Sequence, residues 1–484
     1  MLANVLSFDT TVVPLLIDGK EEHLQDSFDV ISPYTNQKCW TAAAATPKDA
    51  IRAVQAAAAA FPGWAATKPT VRRDILLRAA QLFEDRLEEN AEIMRTEMGA
   101  DVGVSLHFTA PLAVAFLRET ASRITSVCGT VPTVSQEGTS VMVLKEPMGV
   151  ILGIVPWNAP FPLGMRAIAS ALAAGNTTVL KSSDMSPRCF YVLARAFQEA
   201  GLPDGCLNVI SCRAEDAPQV VNAMIEHPAV AKVNFTGSTA VGRKIAATCG
   251  QNLKPCLLEL GGKNSAIVCE DADIDVAVRE VIAGSFLNSG QICMSTDKVL
   301  VHEKIAPAFF TALRTALNAS PNVQPTLVSA SSRDRFRQMI DAAVASGAQV
   351  LFGSLDASAV DAAASGVRVS PIVLTHATED MAAWQNESFG PLAACMVVPN
   401  DETAVRLANA GSYGLSAAVF TKDLRKAFRL AKWIESGAVH INGMTVFDEP
   451  CVPHGGIKNS GWGRFNSSWG LDEFLVTKAI IWKD

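Results

Sequence analysis

The segment VILGIVPWNAPFPLGMRAIASALAAGNTTVLK, residues 150–181, combines an apolar strand, a turn, an apolar helix and a second strand. Residues 150–155 form a continuous apolar run, which is typical of a strand buried on both faces of a parallel sheet. Residues 156–160 predict the turn, and Gly175 predicts the end of a helix over 161–174. With the strand at 177–180, this order of elements predicts a parallel βαβ unit.

The same alternation extends in both directions from this segment. Downstream it predicts helices near 187–201 and 217–226 and strands at 207–210 and 231–235. A second series begins at about residue 259, with strands near 265–268, 299–301, 394–398, 417–420 and 439–442. Upstream, the pattern predicts a helix that starts at Thr46-Pro47, one long helix over 70–98 ended by Gly99, and a hairpin over 131–145. The chain is therefore predicted to be α/β with parallel sheets.

Length and composition narrow the class of protein. The chain has 484 residues, too many for one hydrophobic core, so we expect two or more domains. A net charge of −7 weighs against a nucleic-acid or anionic-membrane partner. No apolar run reaches the roughly 18 residues of a spanning helix, and the first residues lack the basic region of a signal peptide, so we expect a cytoplasmic protein.

The number and spacing of the cysteines and histidines argue against disulfide bonds and metal sites. The chain has 11 cysteines, an odd number, without a CxxC pair, which predicts reduced thiols. No cluster of His, Cys, Asp and Glu has the spacing of metal ligands, so we predict no metal site.

Cys293 is the first candidate for chemistry, in the segment NSGQICMS over residues 288–295. Ser289-Gly290 interrupts a preceding helical pattern, which places Cys293 on a loop. A cysteine beside free backbone amides can have a lowered pKa and act as a thiolate nucleophile. One cysteine among eleven is more often a small buried apolar residue, and on its own this pattern favours that interpretation.

Two further polar residues follow predicted strands. Glu259 ends an apolar run before Gly261-Gly262 and could face a cavity as a general base, although an exposed Glu at a strand end is the simpler interpretation. Asn158, between two prolines, could donate its amide to an oxyanion, or it could simply form the turn.

The segment FTGSTAVG, residues 235–242, joins a predicted strand to a predicted helix. Gly237 allows the turn, and the helix N-terminus offers free N–H groups to a phosphate. The spacing of its glycines differs from the GxGxxG pattern of dinucleotide-binding proteins, so this segment is a weak signal alone.

Together these segments carry a family resemblance. Six motifs in order along the chain are similar to those of the aldehyde dehydrogenase superfamily: Pro156–Asn158, Leu180-Lys181, Phe235–Ser238, Leu258–Lys263, Gly290–Cys293 and Glu387–Pro391. The resemblance covers nearly the whole chain and implies two doubly wound, Rossmann-type α/β domains with a small β oligomerisation extension. It also implies an NAD(P)-dependent enzyme that forms a homodimer or homotetramer.

The resemblance implies these domain boundaries and oligomerisation strands. A cofactor-binding domain comprises 1–126 and 147–258, and a catalytic domain comprises 259–445. The oligomerisation strands are 127–146 and 470–484, and 446–469 returns toward the cofactor domain. On sequence alone, the strand near 474–482 could equally be an ordinary edge strand or could pair with a neighbouring subunit.

The resemblance also implies a catalytic role for three residues. Cys293 attacks the aldehyde carbon, and the Asn158 amide and the Cys293 backbone N–H hold the oxyanion. Glu259 activates the water that hydrolyses the resulting thioester. The implied product is a carboxylic acid.

Eleven residues are implied to bind the cofactor. Lys181 and Asp184 hold the adenosine ribose, and Ser183 lies between them. Gly237 and Ser238 lie at the pyrophosphate, and Glu387 holds the nicotinamide ribose. The other residues assigned to the cofactor are Trp157, Phe235, Val241, Leu260 and Phe389, the last beside the nicotinamide ring.

The substrate is inferred from segments 440–450, 453–456 and 460–465, which resemble the aromatic-aldehyde branch of the family that contains salicylaldehyde and vanillin dehydrogenases. Arg166 matches a pocket arginine of that branch, but a helix-surface or interdomain arginine is an equally good interpretation. Phe161 and Phe447 are further candidates for the pocket wall, or for plain core.

The chain departs from the family pattern at three places. Asp184 replaces the usual Glu, and because a carboxylate repels a 2′-phosphate, it favours NAD, with NADP still possible. His454 replaces the usual Phe, which changes the pocket rim or adds a titrating group. The segment 318–326 is shorter than the family pattern, as in a trimmed surface loop.

Two other functions would leave different residues in the sequence. An acylating relative would pass its thioester to coenzyme A, but transfer to a thiol needs no base for water, and Glu259 is retained. A non-catalytic structural relative would have lost Cys293, Glu259 or Asn158, and the chain has all three.

Overall fold

The computed structural model describes residues 11–319, 325–354 and 366–483. Up to Glu259 the strands are β1 (Val12–Val13), β2 (Leu15–Ile17), β3 (Lys20–Glu22), β4 (Ser27–Ser32), β5 (Gln37–Ala43), β6 (Thr139–Pro147), β7 (Val150–Ile154), β8 (Thr177–Lys181), β9 (Leu207–Ile210), β10 (Val230–Thr236) and β11 (Cys256–Glu259). The helices are α1 (Pro47–Ala65), α2 (Pro69–Glu84), α3 (Leu87–Met98), α4 (Val102–Val104), α5 (Ala110–Arg123), α6 (Pro160–Ala174), α7 (Pro187–Glu199), α8 (Ala217–Glu226) and α9 (Thr239–Gln251).

The second half repeats the alternation of strands and helices. Its strands are β12 (Asn264–Val268), β13 (Thr296–His302), β14 (Gln349–Phe352), β15 (Ile372–Thr375), β16 (Leu392–Val398), β17 (Tyr413–Gly414), β18 (Ser416–Phe420), β19 (Ala438–Ile441), β20 (Ile457–Lys458), β21 (Gly461–Trp462) and β22 (Leu475–Lys483). Its helices are α10 (Ile274–Phe286), α11 (Ala306–Ala319), α12 (Ala330–Ala345), α13 (Ala382–Gln385), α14 (Asp401–Asn409), α15 (Leu424–Trp433) and α16 (Ser467–Asp472).

Two large sheets organise these elements. The first has the order β21-β11-β10-β7-β8-β9-β2-β3, and its strands from β11 to β9 are parallel. The second has the order β14-β15-β16-β13-β12-β18-β19, with parallel strands from β15 to β19. The prediction of an α/β chain with parallel sheets is confirmed.

The first sheet is covered by helices, which explains its apolar sequence. Strands β7, β8 and β9 are buried along their whole length. Helix α6 is also buried on every side, which explains why residues 160–174 are apolar or small nearly throughout. Gly175 ends this helix at a φ of 97°, as the sequence predicted.

The start of α1 is also as predicted. Thr46 caps the helix by accepting a hydrogen bond from the Asp49 N–H, the Asp49 carboxylate accepts from the Thr46 N–H in return, and Pro47 takes the first helical position.

The prediction of one helix over 70–98 is wrong, because the chain turns at Asp85-Arg86 and forms α2 and α3. Both helices place apolar side chains in the same core, including Leu76 on α2 and Met94 on α3. The helical spacing of apolar residues therefore continues across the turn, so the sequence pattern does not reveal that the helix is interrupted.

The predicted hairpin over 131–145 is only partly present. The chain doubles back, but Thr130 and Val143 form a single bridge, and 131–138 has no strand. Pro132, which has no N–H for a ladder, lies in this part. Strand β6 instead pairs antiparallel with β22, from Leu475 opposite Pro147 to Lys483 opposite Thr139.

The shortened segment 318–326 is described only at its ends. Residues 320–324 lie outside the described residues, α11 continues to Ala319, and Thr326 forms a bridge with Arg368. Across the described ranges, the structure contains no helix with both the length and the apolar character needed to cross a membrane.

The ends of the parallel strands position the polar residues that the sequence singled out. Trp157 and Asn158 follow β7, Lys181 ends β8, Thr236 ends β10 and Glu259 ends β11. The carboxyl ends of parallel strands meet at one edge of a sheet, where ligands of doubly wound proteins bind.

Candidate active site

A cleft of about 400 Å³ opens at this edge, within the usual size range of ligand sites. Both halves of the chain line it. The lining residues are Pro156, Trp157, Asn158, Leu163, Met185, Thr236, Gly237, Ser238, Glu259, Leu260, Gly261, Cys293, Val328, Ser329, Ser331, Ser332, Arg335, Met339, Glu387, Ser388 and Phe389.

The loop that carries Cys293 has an unusual backbone. Helix α10 ends at Phe286, and Asn288, Ser289 and Gly290 follow with φ of 50°, 59° and 69°. A Cβ on Gly290 would lie 2.2 Å from the Gly390 carbonyl oxygen, so no larger residue fits there without movement of the backbone. The helix interruption predicted at Ser289-Gly290 is therefore a turn with left-handed backbone conformation, and Cys293 follows it in the lining of the cleft.

Side-chain hydrogen bonds hold this loop in place. Gln291 donates from Nε2 to the Thr326 carbonyl at 3.1 Å and accepts at Oε1 from the Val328 N–H at 2.9 Å. Asn264 donates from Nδ2 to the Cys293 carbonyl at 2.8 Å. The backbone of the cysteine is thus fixed from two sides.

Asn158 belongs to the same network. Its buried Nδ2 donates to the Gln291 carbonyl at 3.0 Å, and its own carbonyl accepts from Asn288 Nδ2 at 3.0 Å. An amide nitrogen carries two hydrogens, so one remains for an acceptor in the cleft. Asn158 and Cys293 line the same cleft, so a free amide hydrogen is available near the cysteine.

The expectation of a lowered Cys293 pKa is wrong for this structure. Burial first, and then the negative charge of Glu259, raise the pKa of the Cys293 thiol well above its usual value. The loop amides do not offset these two effects. The thiol form is therefore the stable one, and the reactive thiolate is a minor species.

Glu259 is almost completely buried at the end of β11, and neither of its oxygens accepts a hydrogen bond from the described residues. Burial opposes its ionisation, but His454 and then Arg166 outweigh burial, so the pKa of Glu259 is lowered. A buried, ionised carboxylate with free lone pairs is suited to accept a proton.

The predicted phosphate loop faces the cleft with Gly237 and Ser238. Ser238 caps α9 by accepting from the Val241 N–H at 3.4 Å. The Gly237 N–H donates to the Glu259 carbonyl at 3.1 Å, and a Cβ on Gly237 would lie 2.5 Å from the Phe235 ring. The helix N-terminus is thus fixed at the cleft, where its free N–H groups favour an anion.

Glu387 closes the other side of the cleft. Its Oε1 accepts from the Gly262 N–H at 3.0 Å, and a Cβ on Gly261 would lie 2.4 Å from its Oε2. Burial raises the pKa of Glu387 to about 8, so its carboxyl can be protonated near neutral pH and then donate as well as accept hydrogen bonds.

A buried ion pair supports the neighbouring residues. Lys263 Nζ lies 3.0 Å from Asp297, and Asp297 accepts from Ser388 N–H at 3.0 Å and Ser388 Oγ at 2.6 Å. Phe389 follows with a φ of 44°, and its ring meets the edge of Trp157 at 5.6 Å. This scaffold holds Phe389 in a strained backbone conformation at the cleft.

Nine of the fourteen residues assigned to catalysis or the cofactor line this cleft, and the other five lie elsewhere. The nine are Asn158, Glu259, Cys293, Trp157, Gly237, Ser238, Leu260, Glu387 and Phe389. Lys181 is buried at the end of β8, and Ser183 and Asp184 follow the strand, the first buried and the second half-buried. Phe235 is core beneath Gly237, and Val241 is exposed on α9.

The three residues assigned to the substrate pocket are not brought together. Phe161 is completely buried and packs edge to face on Phe83 at 5.0 Å, so it belongs to the core, because α6 is buried on every side. Phe447 is half-exposed and packs on His440 at 5.7 Å. Arg166 is buried and forms an ion pair with Asp448, which links α6 to the segment after β19.

Sequence reasoning missed one wall of the cleft. Ser329, Ser331, Ser332 and Arg335 line it at the start of α12. Ser329 caps this helix by accepting from the Ser332 N–H at 3.2 Å. Three serines and an arginine at a predicted helix start are the sequence signal that could have identified this wall, because a helix start offers free N–H groups to a ligand.

The groups behind Glu259 were also not recognised as a cluster. His454 Nε2 lies 3.6 Å from Glu259 Oε1, and His454 Nδ1 lies 3.8 Å from Asp448 Oδ1. In the described part of the chain, no group of three His, Cys, Asp or Glu side chains is placed to hold a metal ion.

Known proteins resemble the chain over nearly its full length. A model of the aldehyde dehydrogenase family matches residues 20–480. Vanillin dehydrogenase of Pseudomonas sp. strain HR199 is 44% identical, with 97% of each chain covered. Salicylaldehyde dehydrogenase of Pseudomonas sp. strain C18 is 40% identical, with 94% of each covered. The crystal structure of a salicylaldehyde dehydrogenase from Pseudomonas putida G7 complexed with salicylaldehyde is 36% identical, with a TM-score of 0.94 and 98% of each chain covered.

Proposed function

Because the chain belongs to the aldehyde dehydrogenase family, we propose that it oxidises aromatic aldehydes to carboxylates with NAD and uses Cys293 as the nucleophile. The observation that carries this proposal is the convergence of Cys293, Glu259 and Asn158 on one cleft. An acyl-transfer site needs a nucleophile, a base and an oxyanion donor in mutual reach, and these three residue types supply them.

The residues of the cleft fit a nicotinamide dinucleotide. The N-terminus of α9 with Gly237 and Ser238 suits a pyrophosphate, and Glu387 has a free carboxyl oxygen for ribose hydroxyls. Trp157 and Phe389 offer apolar surface for a ring. When bound, the cofactor supplies the hydride acceptor.

The first step is attack of Cys293 Sγ on the aldehyde carbon, after the thiol has lost its proton to a solvent water. The carbonyl oxygen becomes an oxyanion, and the free hydrogen on Asn158 Nδ2 and the Cys293 backbone N–H stabilise it. Loss of hydride from this thiohemiacetal leaves a thioester on Sγ. Splitting oxidation from hydrolysis in this way gives two barriers that are each lower.

The second step is hydrolysis. Glu259 takes a proton from a water molecule as its oxygen attacks the thioester carbon. Collapse of the tetrahedral adduct breaks the C–S bond, and the proton of the resulting carboxylic acid passes to the Cys293 sulfur, which leaves a carboxylate and the Cys293 thiol. The lowered Glu259 pKa keeps the carboxylate ionised for this task.

The proposal of an aromatic substrate rests on the relatives. Those at 44% and 40% identity are named for vanillin and salicylaldehyde, whose aldehyde group is attached to a ring.

The preference for NAD rests on Asp184. It is half-buried three residues after Lys181, the last residue of β8. A carboxylate there accepts a hydrogen bond from a ribose 2′-hydroxyl and repels the 2′-phosphate of NADP.

A fluorescence screen tests the proposed substrate and cofactor together. With benzaldehyde, salicylaldehyde or vanillin, we expect kcat/KM at least about tenfold above that for short aliphatic aldehydes, since a buried ring contributes roughly 1–3 kcal/mol of transition-state binding. NAD should be favoured over NADP. Equal rates with aliphatic aldehydes would remove the aromatic assignment, and an NADP preference would remove the role of Asp184.

We further propose that the chain is cytoplasmic, has the domain boundaries given by the resemblance, and is a homodimer or homotetramer joined through the β6–β22 ribbon. An isolated two-stranded ribbon is marginally stable. Ile480, Ile481 and Trp482 on β22 and Met142 on β6 are all exposed in the single chain. A partner subunit would cover this apolar surface.

Charge on the ribbon should separate the subunits. The double variant Ile480→Asp, Ile481→Asp should elute at the mass of one chain in light-scattering chromatography at micromolar concentration, where the unchanged protein has two or four chains. Thr477→Asp, an exposed polar position of the same strand, is the control and should keep the assembly. A single-chain mass for the unchanged protein would contradict the proposal.

A further inference from the structure

A buried set of four charged or titratable side chains lies behind the proposed base. Arg166 on α6 pairs with Asp448. Asp448 Oδ1 lies 3.8 Å from His454 Nδ1, and His454 Nε2 lies 3.6 Å from Glu259 Oε1. All four side chains are less than a tenth exposed.

Four polar atoms of this set have no hydrogen-bond partner among the described residues: Arg166 Nε, both Glu259 oxygens and His454 Nε2. Unpartnered buried polar atoms are costly and therefore uncommon. Glu259 Oε1 and His454 Nε2 face each other at 3.6 Å, and once Glu259 carries a proton, a shift of about half an ångström lets its O–H donate to Nε2.

We propose that His454 is a positioning and proton-accepting residue for Glu259. The imidazole orients the Glu259 carboxyl group and takes from it the proton that Glu259 removed from water. This inference rests on the proposed role of Glu259 as the base in hydrolysis. In the transfer, the proton leaves Glu259 Oε1 and binds His454 Nε2, so the carboxylate is restored and the imidazole becomes an imidazolium. No oxidant, reductant or further reactant is needed.

Charge balance favours this transfer. Before hydrolysis, two carboxylates, one guanidinium and a neutral imidazole carry one negative charge in total. After Glu259 has taken a proton, the set is neutral, and it stays neutral whether Glu259 or His454 holds the proton. Moving the proton between them therefore buries no additional net charge.

The proton can also pass from His454 to solvent. His454 and Asp448 line a second cavity of about 30 Å³, whereas Glu259 lines the cleft, so His454 separates the two spaces. That volume exceeds the roughly 10–15 Å³ that one water molecule needs. Phe447 and Val452, both more than two-fifths exposed, lie at its rim, so the imidazolium can lose its proton to solvent by this side.

Other charged groups bear on the imidazole. Burial first, and then Arg166, lower the pKa of His454, so the ring is neutral near pH 7 and able to accept a proton. The titratable or charged side chains that face it are Glu259 on β11, Arg166 on α6, His440 on β19, Arg464 after β21, and Asp448 on its own segment.

Stopped-flow kinetics with NAD and benzaldehyde test the proposal. His454→Phe, the usual residue of the family pattern, should release a burst approaching one NADH per site and then turn over at least tenfold more slowly than the unchanged enzyme. His454→Ala should behave likewise, and added imidazole should restore its steady-state rate by fivefold or more. That rescue should grow with pH as the fraction of neutral imidazole grows, which a structural role would not produce.

His23→Ala, a half-exposed histidine near the N-terminus, is the control and should gain nothing from imidazole. Full steady-state turnover in His454→Phe would overturn the inference and leave the proposed function intact. Loss of the burst in a His454→Ala protein that still binds NAD would also overturn it, because hydrolysis would then not be the affected step. Absence of NADH formation by the unchanged enzyme would instead remove the proposed function.

Discussion

Replacing Cys293 by alanine should abolish NADH formation from benzaldehyde while NAD binding stays within about twofold of the unchanged protein. The thioester route needs Sγ as the attacking atom, and the alanine side chain has no nucleophile. The loss expected for removal of a covalent nucleophile is on the order of 10⁴-fold or more in kcat. NAD binding should survive because Asn264 and Gln291 fix the loop through its backbone and not through the thiol. Steady-state NADH fluorescence and a binding titration with NAD measure the two quantities.

The matched control is Cys128→Ala, because Cys128 is an exposed cysteine that does not line the cleft. It should retain full activity. If Cys293→Ala turned over at a rate within tenfold of the unchanged enzyme, Cys293 would not be the nucleophile. If both variants lost activity equally, the loss would come from general damage to the protein and the assignment of Cys293 would fail this test.

The sequence predicted the location of the site better than its electrostatics. Strand ends and turns are local features, so apolar runs and glycines made Asn158, Glu259 and Cys293 candidates, while their place in one site followed from the family resemblance. The direction of the Cys293 pKa could not, because it depends on burial and on Glu259, which is 34 positions away in sequence and adjacent in space.

In the fold as well, features set by neighbouring residues were predictable from the sequence, and features set by contacts between distant residues were not. The cap of α1 at Thr46 and the end of α6 at Gly175 are set by neighbouring residues and were predicted. The turn at Asp85-Arg86 has neither glycine nor proline and is set by packing on a shared core, so it was missed.

The substrate side was the least predictable part. Arg166 has the position of a pocket arginine in the sequence pattern, but its guanidinium is neutralised by Asp448, a residue far along the chain. His454 was recognised as a departure from the family pattern, yet its neighbours could not be listed without the structure. The roles of Arg166 and His454 both depend on contacts between segments that are far apart in sequence.

Replacing Glu259 by glutamine should separate the two halves of the reaction. The amide cannot accept the proton of water, so hydrolysis should slow by roughly 10²–10⁴-fold, the usual contribution of a general base. Acylation should survive, because removing the Glu259 charge removes one of the effects that raise the Cys293 pKa and so increases the thiolate fraction. We therefore expect a rapid burst of one NADH per site, followed by very slow turnover, and a thioester on Cys293 detectable by mass spectrometry after acid quenching.

The control is Glu303→Gln, which removes the same charge from an exposed position outside the cleft and should change neither phase. A full steady-state rate in Glu259→Gln would show that another group activates water. Loss of the burst would mean that Glu259 acts before the thioester forms.

Addition of coenzyme A to Glu259→Gln separates a stalled hydrolase from an acylating enzyme, because only a site built for acyl transfer to a thiol would recover a fast rate. We expect no such recovery, because the proposed hydrolysis uses Glu259, at the end of β11 in the same cleft as Cys293, as the base for water.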